Sequence, residues 1–213
     1  MRLLELFSGT GSIGSAFASV GWDVISLDSD PKTDATIHGD ILTWDHTTYP
    51  PGHFDAIWAS PCCTHYSCAR RGAQTPRNLI WADSLVIRTF EIIEYFQPRV
   101  WFVENPQTGM LKDRVFMHGK SFTDLDYCCY CNWGYRKRTR LWNNISFSGK
   151  LCPGSGSCPN MEHGRHRATA QQGTNRGKSG LYGSHFAQQF LHQIPPVLCH
   201  ELALACHDHL LVD

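Results

Sequence analysis

Phe54-Asp55-Ala56-Ile57-Trp58-Ala59-Ser60-Pro61-Cys62-Cys63 is the stretch that decides how this chain is read. Its first half is a strand pattern, with Ala56, Ile57 and Trp58 as a short apolar run. Ser60-Pro61 ends the strand, because proline has no N–H for a ladder and restricts the residue before it. Two cysteines follow at the strand's C-terminal tip. In an open α/β sheet, ligands bind at that edge. A cysteine placed there is a candidate nucleophile. It is equally a candidate buried thiol, since free cysteine is among the most buried residue types.

Upstream, Arg2–Phe7 is apolar and strand-like, Ser8-Gly9-Thr10-Gly11-Ser12 is a glycine turn, and Ile13–Val20 has helical spacing. A strand, a glycine turn and a helix let a ligand approach the backbone and the free N–H groups of the helix start. The next strand, Asp23–Leu27, leads into Asp28, where a nucleotide site uses an acid for ribose hydroxyls. A third segment, Thr36–Ile41, carries Asp40. Together these predict a nucleoside cofactor; the other reading makes both aspartates turn or cap residues.

Downstream, Thr64–Arg77 is polar, carries Arg70, Arg71 and Arg77, and is expected to be a long mobile loop beside the thiol. Leu79–Phe96 is an amphipathic helix with Leu85, Ile92 and Phe96 on one stripe. Val100–Val103 is a strand running into Glu104-Asn105-Pro106, so a second tip presents an acid to the edge that holds Cys62. Thr123–Tyr130 is a weakly alternating strand. In Arg136-Lys137-Arg138-Thr139-Arg140 the arginines alternate, so on a strand they share one face and are expected to meet phosphate or carboxylate. Leu181–Gln193 and Val197–Leu211 read as helices around Ile194-Pro195-Pro196.

The chain has 213 residues, a formal net charge of zero, ten cysteines and twelve histidines. The length suits one catalytic domain over 1–213. Zero net charge means that any nucleic-acid surface is local. The first strand begins at Leu3, leaving no room for a signal peptide, and no run is long enough to span a bilayer. The expected location is intracellular, where cysteines are catalytic, metal-bound or buried more often than disulfide-bonded.

Residues 143–180 are rich in Gly, Ser, Asn and Arg and poor in large apolar side chains. This segment contains Cys152, Cys158, His163 and His166. A bound structural zinc could supply the order that burial does not. Cys128 would complete a set with Cys152, Cys158 and one histidine, for which His166 is favoured. The other reading is reduced surface cysteines. Arg165, Arg167, Arg176 and Lys178 would meet phosphates.

Phe7-Ser8-Gly9-Thr10-Gly11, Pro61-Cys62, Glu104-Asn105 and the arginines at 136, 138 and 140 occur in the order seen in DNA (cytosine-5) methyltransferases, which the chain resembles over residues 2–142, with a weaker match at Ile194-Pro195-Pro196-Val197. The resemblance implies a Rossmann-like S-adenosylmethionine-dependent sheet with helices on both faces. It implies that Phe7, Gly9, Thr10, Gly11 and Pro61 line the cofactor, Asp28 its ribose, and Asp40 and Ile41 its adenine. Cys62 would be the nucleophile, Glu104 would contact the cytosine ring, and Arg138 and Arg140 would support the site. The chain departs from the family at Cys63, Pro106 and Arg136, where glutamine, valine and glutamine are usual. The large target-recognition domain is missing, and residues 143–180 stand in its place. The expected partner is therefore DNA with short sequence context, an unpaired cytosine being the easier substrate. A partner subunit that supplies recognition stays open. Rival readings are an RNA cytosine methyltransferase and an inactive nucleic-acid-binding relative.

Overall fold

The computed structural model describes residues 1–154, 156–168 and 191–212. The strands are β1 (Arg2–Leu6), β2 (Asp23–Asp28), β3 (Ile37–His38), β4 (Ala56–Ala59), β5 (Val100–Pro106), β6 (Phe122–Asp126) and β7 (Arg138–Asn143). They form one sheet in the order β3-β2-β1-β4-β5-β7-β6. The first five strands run parallel, and β7 lies antiparallel between β5 and β6. The helices are α1 (Ser12–Ser19), α2 (Leu79–Phe96) and α3 (Pro196–Val212).

Side chains alternate across a sheet, so neighbours on one strand serve different layers. Leu3, Trp58, Phe102 and Leu141 pack with Phe17 of α1 and Leu198 and Leu202 of α3. Leu4, Ile57, Val103 and Trp142 pack with Leu85, Ile92 and Phe96 of α2 on the other face. All four residues of β4 are buried, which is why its sequence is a continuous apolar run rather than an alternation. Helices on both faces, with the parallel tips of β1, β4 and β5 at one edge, leave that edge as the place for a site.

Three elements differ from the sequence reading. The strand expected at Thr123–Tyr130 is Phe122–Asp126, and the chain then makes a 3-10 turn at Tyr127–Cys129. The ladder with β7 stops at Asp126↔Arg138, and the Asp126 carboxylate is taken by Arg136 and by the N–H of Cys152. Thr36–Ile41 contracts to the two residues of β3, and Asp40 begins a turn in which its Oδ1 accepts from Leu42 N at 2.9 Å. Arg136 precedes β7 instead of lying in it. The helix expected at Leu181–Gln193 lies mostly outside the described residues; Leu191 and His192 are helical.

Glu5 is an acid in the core that the apolar reading of β1 passed over. It is 3% exposed, beneath the N-terminus of α1. The N–H groups of Gly14 and Ile13 donate to it, as free groups at a helix start do. A Cβ on Gly14 would come within 2.5 Å of Glu5 Oε2, so glycine is what lets the helix sit this close.

Burial, opposed by those two N–H groups and aided by Asp28, raises the Glu5 carboxyl from 4.5 to about 7. Between those values the unfolded chain has released a proton that the folded chain keeps, so folding weakens as pH rises. The total is about 3 kcal/mol, absent below the lower value and complete above the upper one. Glu5→Gln removes this slope. In urea unfolding, its stability relative to wild type should rise by about 3 kcal/mol between pH 4.5 and 7 and then level off. A constant difference across that range would show that Glu5 does not titrate there.

Candidate active site

The turn after β1 holds Phe7, Gly9 and Gly11 at φ of 58°, 51° and 65°. Glycine takes this left-handed geometry without strain. Gly9 N donates to Asp28 Oδ2 at 2.8 Å and Asp30 N donates to Asp28 Oδ1 at 2.8 Å, which joins the tips of β1 and β2. A Cβ added to Gly9 would find its nearest neighbour, Phe7 O, at 3.9 Å, so the turn opens onto free space. Thr10 is exposed, its hydroxyl 2.7 Å from that of Ser12. Asp40 is exposed and Ile41 buried, and Arg88 of α2 holds that turn through Ile41 O at 3.2 Å and Trp44 O at 3.1 Å. An open glycine cradle, an acid at the β2 tip and an apolar residue beyond it fit the nucleoside and sulfonium ends of S-adenosylmethionine.

At the next two tips, Asn105 Nδ2 donates to Pro61 O at 2.9 Å. Asn105 is fully buried, and its Oδ1 has no partner among the described residues. Cys62 is partly exposed and its thiol donates to Thr64 Oγ1 at 3.3 Å. Burial pushes the Cys63 thiol up to about 11; Lys137 pulls it down and Glu104 pushes it further up. Glu104 is 7% exposed. Its Oε1 accepts from Tyr127 Oη at 3.4 Å and lies 3.6 Å from Lys137 Nζ.

The structure brings Pro61, Cys62 and Glu104 to adjoining tips, but it does not bring Arg138 and Arg140 to Glu104. Directly paired residues of an antiparallel ladder share a face, and Glu104 pairs with Leu141. Positions 139 and 141 therefore face with Glu104, and Arg138 and Arg140 face away. Arg140 makes a two-point pair with Asp124 at 2.7 and 2.8 Å and stacks over Phe122 at 3.5 Å. Arg136 does the same with Asp126 at 2.8 Å on both oxygens. The partners of these two arginines are carboxylates, and Arg138 is exposed. Tyr127, Lys137 and the tethering role of Asn105 were not singled out from sequence. Lys137 carried one usable signal: its parity on the β7 side matches that of Glu104.

The segment expected to be a mobile loop is internally bonded. Cys68–Gly72 is a 3-10 turn. Arg77 donates to His65 O at 2.5 Å and Ser67 O at 2.9 Å, and Arg70 donates to the carbonyls of Thr75 and Pro76, each at 3.1 Å. Tyr66 is fully buried and donates to Asp83 Oδ1 at 2.8 Å, where Arg114 also donates at 3.0 Å. Asp83 thus pins the chain after Cys62 to α2 and to the segment after β5.

Away from the tips, the ligand atoms of Cys128, Cys152, Cys158 and His166 lie within 4.8 Å of one another. His166 Nε2 is 3.6 Å from both Cys152 Sγ and Cys158 Sγ. Tetrahedral zinc bonds imply ligand separations of about 3.5–3.8 Å. Cys128 sits on the turn after β6, and His166 on the hairpin of β8 (Met161–Glu162) and β9 (Arg165–His166). Burial first, and then the neighbouring thiols, push Cys128 well above the ordinary thiol value. Bound metal would relieve that penalty. His163 is in the hairpin turn at φ 50°. Arg176 and Lys178 lie outside the described residues.

A mostly parallel sheet with β7 inserted antiparallel, a glycine turn at β1 and a Pro-Cys tip at β4 define a Rossmann-like S-adenosylmethionine-dependent methyltransferase fold. The family model for C-5 cytosine-specific DNA methylase matches residues 1–132, and the chain belongs to that family. It is a DNA (cytosine-5)-methyltransferase. The chain is 38% identical to a probable DNA (cytosine-5)-methyltransferase of Frog virus 3, over 97% of this chain and all of that protein. It is 24% identical to the type II methyltransferase M.DdeI of Desulfomicrobium norvegicum, over 49% of this chain and 28% of that one. The solved S. pombe Dnmt2 methyltransferase overlaps 70% of this chain and 53% of its own, at 16% identity and a TM-score of 0.48.

Asp83→Ala leaves the buried Tyr66 hydroxyl and Arg114 without their shared acceptor. It should destabilise the protein by about 1–3 kcal/mol in urea unfolding and speed limited proteolysis between residues 64 and 77. Unchanged cleavage there would mean that the arginine bonds alone hold the segment.

Proposed function

We propose that this chain methylates carbon 5 of cytosine in DNA through a covalent adduct on Cys62. The observation that carries this reading is the hydrogen bond from Asn105 to Pro61, which sets a partly exposed thiol beside the tip that bears Glu104. Cys63 is the poorer nucleophile, because burial holds its thiol near 11 and so protonated at neutral pH. Phe7, Gly9, Thr10, Gly11 and Pro61 would hold S-adenosylmethionine, with Asp28 at its ribose and Asp40 and Ile41 at its adenine. Held there, the cofactor supplies an electrophilic methyl group.

Carbon 5 of cytosine is a weak nucleophile within the aromatic ring. The Cys62 thiolate adds at carbon 6, forming a C–S bond and pushing the ring's π pair toward carbon 5 and N3. Glu104 would act as the protonated acid, donating its proton toward N3, where charge accumulates, and taking it back on elimination. After methylation, loss of the carbon 5 proton to solvent base restores the double bond as the C–S bond breaks and Cys62 leaves. The ring has to lie outside a base stack for this attack.

Recognition falls to a small surface. Residues 143–180 are poor in large apolar side chains, and the phosphate contacts their arginines would make position without specifying. Short sequence context follows, and single strands should react at least as well as duplex, because flipping a paired base costs a few kcal/mol. Cys128, Cys152, Cys158 and His166 would hold a structural zinc that orders this segment. No helix among the described residues is long and apolar enough to cross a membrane.

Oligonucleotides containing 5-fluorocytosine, which cannot lose the carbon 5 substituent as a proton, test the nucleophile. With S-adenosylmethionine they should trap wild type and Cys63→Ala, but not Cys62→Ala, and single strands should trap at least as fast as duplex. An adduct on Cys62→Ala would overturn the assignment. Complete rejection of single strands would assign base recognition to another part of the chain or to a partner subunit.

For the metal, protein made without a histidine tag should carry about one zinc per chain by elemental analysis. Cys152→Ser/Cys158→Ser should lose it. Full retention by that double variant would refute the ligand set.

A further inference from the structure

We propose that α3 is a homodimer interface, laid antiparallel against the same helix of a second copy of this chain about a two-fold axis at Leu204. This does not rest on the methyltransfer reading.

The helix is apolar on two opposite sides. Leu198, Leu202, Ala203, Cys206 and Leu210 are buried against α1 and the sheet. On the other side Val197, Leu204 and Leu211 are 53%, 42% and 69% exposed. A helix that covers one face of a sheet normally turns a polar side to water, and a helix apolar all round is normally buried. The second side of α3 therefore lacks a cover among the described residues.

The spacing of these residues makes that side a stripe. Positions seven apart drift only about 20° around a helix. At a rise of about 1.5 Å per residue the stripe is about 21 Å long. His200 and Asp208 are exposed and lie within it, one turn before and one turn after Leu204. Neither side chain has a hydrogen-bond or ion-pair partner among the described residues. Glu201, at the margin, is already taken within the chain by Lys150 at 2.5 Å.

The order of residues along the stripe selects the occupant. An isologous contact requires that if one residue meets a second, the second also meets the first. Antiparallel pairing centred on Leu204 sets Val197 opposite the partner subunit's Leu211, His200 opposite the partner subunit's Asp208, and Leu204 against its own copy. Apolar groups then meet apolar groups, and two His–Asp pairs form by symmetry. A histidine ring donates an N–H to a carboxylate in either protonation state. Parallel pairing would instead oppose Asp208 to its own copy and His200 to its own copy, which like charges disfavour. The stripe is thus complementary to itself in one direction only.

The same direction keeps the catalytic edges clear. Arg99, just before β5, donates to Leu210 O at 3.1 Å, so α3 ends at the side of the sheet opposite the strand tips. Antiparallel helices turn the two sets of tips toward opposite ends of the dimer. One helix pair is a small interface, so the association is reversible.

Sedimentation velocity tests the interface. Wild type should pass from monomer to dimer between about 1 and 100 μM. Leu204→Glu, which sets two carboxylates on the axis, should weaken the dimer at least about tenfold. His200→Asp and Asp208→Lys should each weaken it about fivefold or more, and His200→Asp/Asp208→Lys should return to within about threefold of wild type. Rescue by that exchange requires the antiparallel register. A wild type that stays monomeric at the highest concentration, a Leu204→Glu that still dimerises like wild type, or an exchange that fails to rescue would overturn the proposal. So would a Leu204→Glu that melts well below wild type at the lowest concentration, since the chain's own residues would then be what covers the stripe.

Discussion

The amide of Asn105 donates to the carbonyl of Pro61 where water does not reach, and the geometry of the site hangs on that bond. β4 and β5 are neighbours in a parallel sheet, so their tips are separated by about one strand spacing, 4.7–4.9 Å. Ser60-Pro61 cannot continue the ladder, so the amide reaching across holds the turn that carries Cys62 from one side while Asp83 pins the chain beyond it. Deleting the donor would leave a buried carbonyl unsatisfied, at about 1–3 kcal/mol. The same residue that follows the acid Glu104 thus fixes the turn that bears the thiol. Spacing between the Cys62 turn and Glu104 is a property of the sheet, tightened by one amide.

Alternation across the sheet does the second piece of sorting. On the β7 side, one set of positions meets Asp124, Phe122 and solvent, and the other meets Glu104 and Tyr127. A run of basic residues therefore splits into two populations with different work. Arg140 in β7, and Arg136 just before it, tie this side to β6 through forked pairs, a geometry that suits guanidinium better than ammonium. Lys137, a compact point charge on a flexible stem, reaches the acid. Counting positive charges along the run would have assigned all of them to one partner.

Much of the fold could be read from the chain, because its elements obey simple periods. The Leu85, Ile92 and Phe96 stripe, the apolar run of β4 and the glycine turn each predicted the element found there. Element ends were harder. Nothing in the alternation of Thr123–Tyr130 announces that Asp126 is captured by Arg136 and by the N–H of Cys152, and that capture is what ends β6. The placement of the candidate site was legible where neighbours in sequence mark a strand tip, as at Pro61-Cys62 and Glu104-Asn105, which the sheet brings side by side. It was not legible where meaning depends on which face a side chain takes, as for Lys137, or on a partner far away, as for Asp83 with Tyr66 and Arg114. Glu5 escaped notice for a third reason: a strand that reads as apolar hides one acid whose partners are the N–H groups of Ile13 and Gly14.

The polar insertion and the catalytic tips meet through one short stretch of chain. Asp126 receives Arg136 and the N–H of Cys152; Tyr127 donates to Glu104; Cys128 joins the cysteine–histidine cluster; and Lys137 follows Arg136. Asn160 reinforces the join by donating to Cys128 O at 2.8 Å and Cys131 O at 2.7 Å. A segment so poor in apolar side chains gains little from burial, and bonds to a metal held by the four clustered ligand atoms would order it from within. Ordering by ligation has a consequence that ordering by burial lacks. It would fix the backbone at Cys128, next to Tyr127, whose hydroxyl donates to Glu104. A compact chain would in this way let one small cluster position the turn whose tyrosine donates to its buried Glu104.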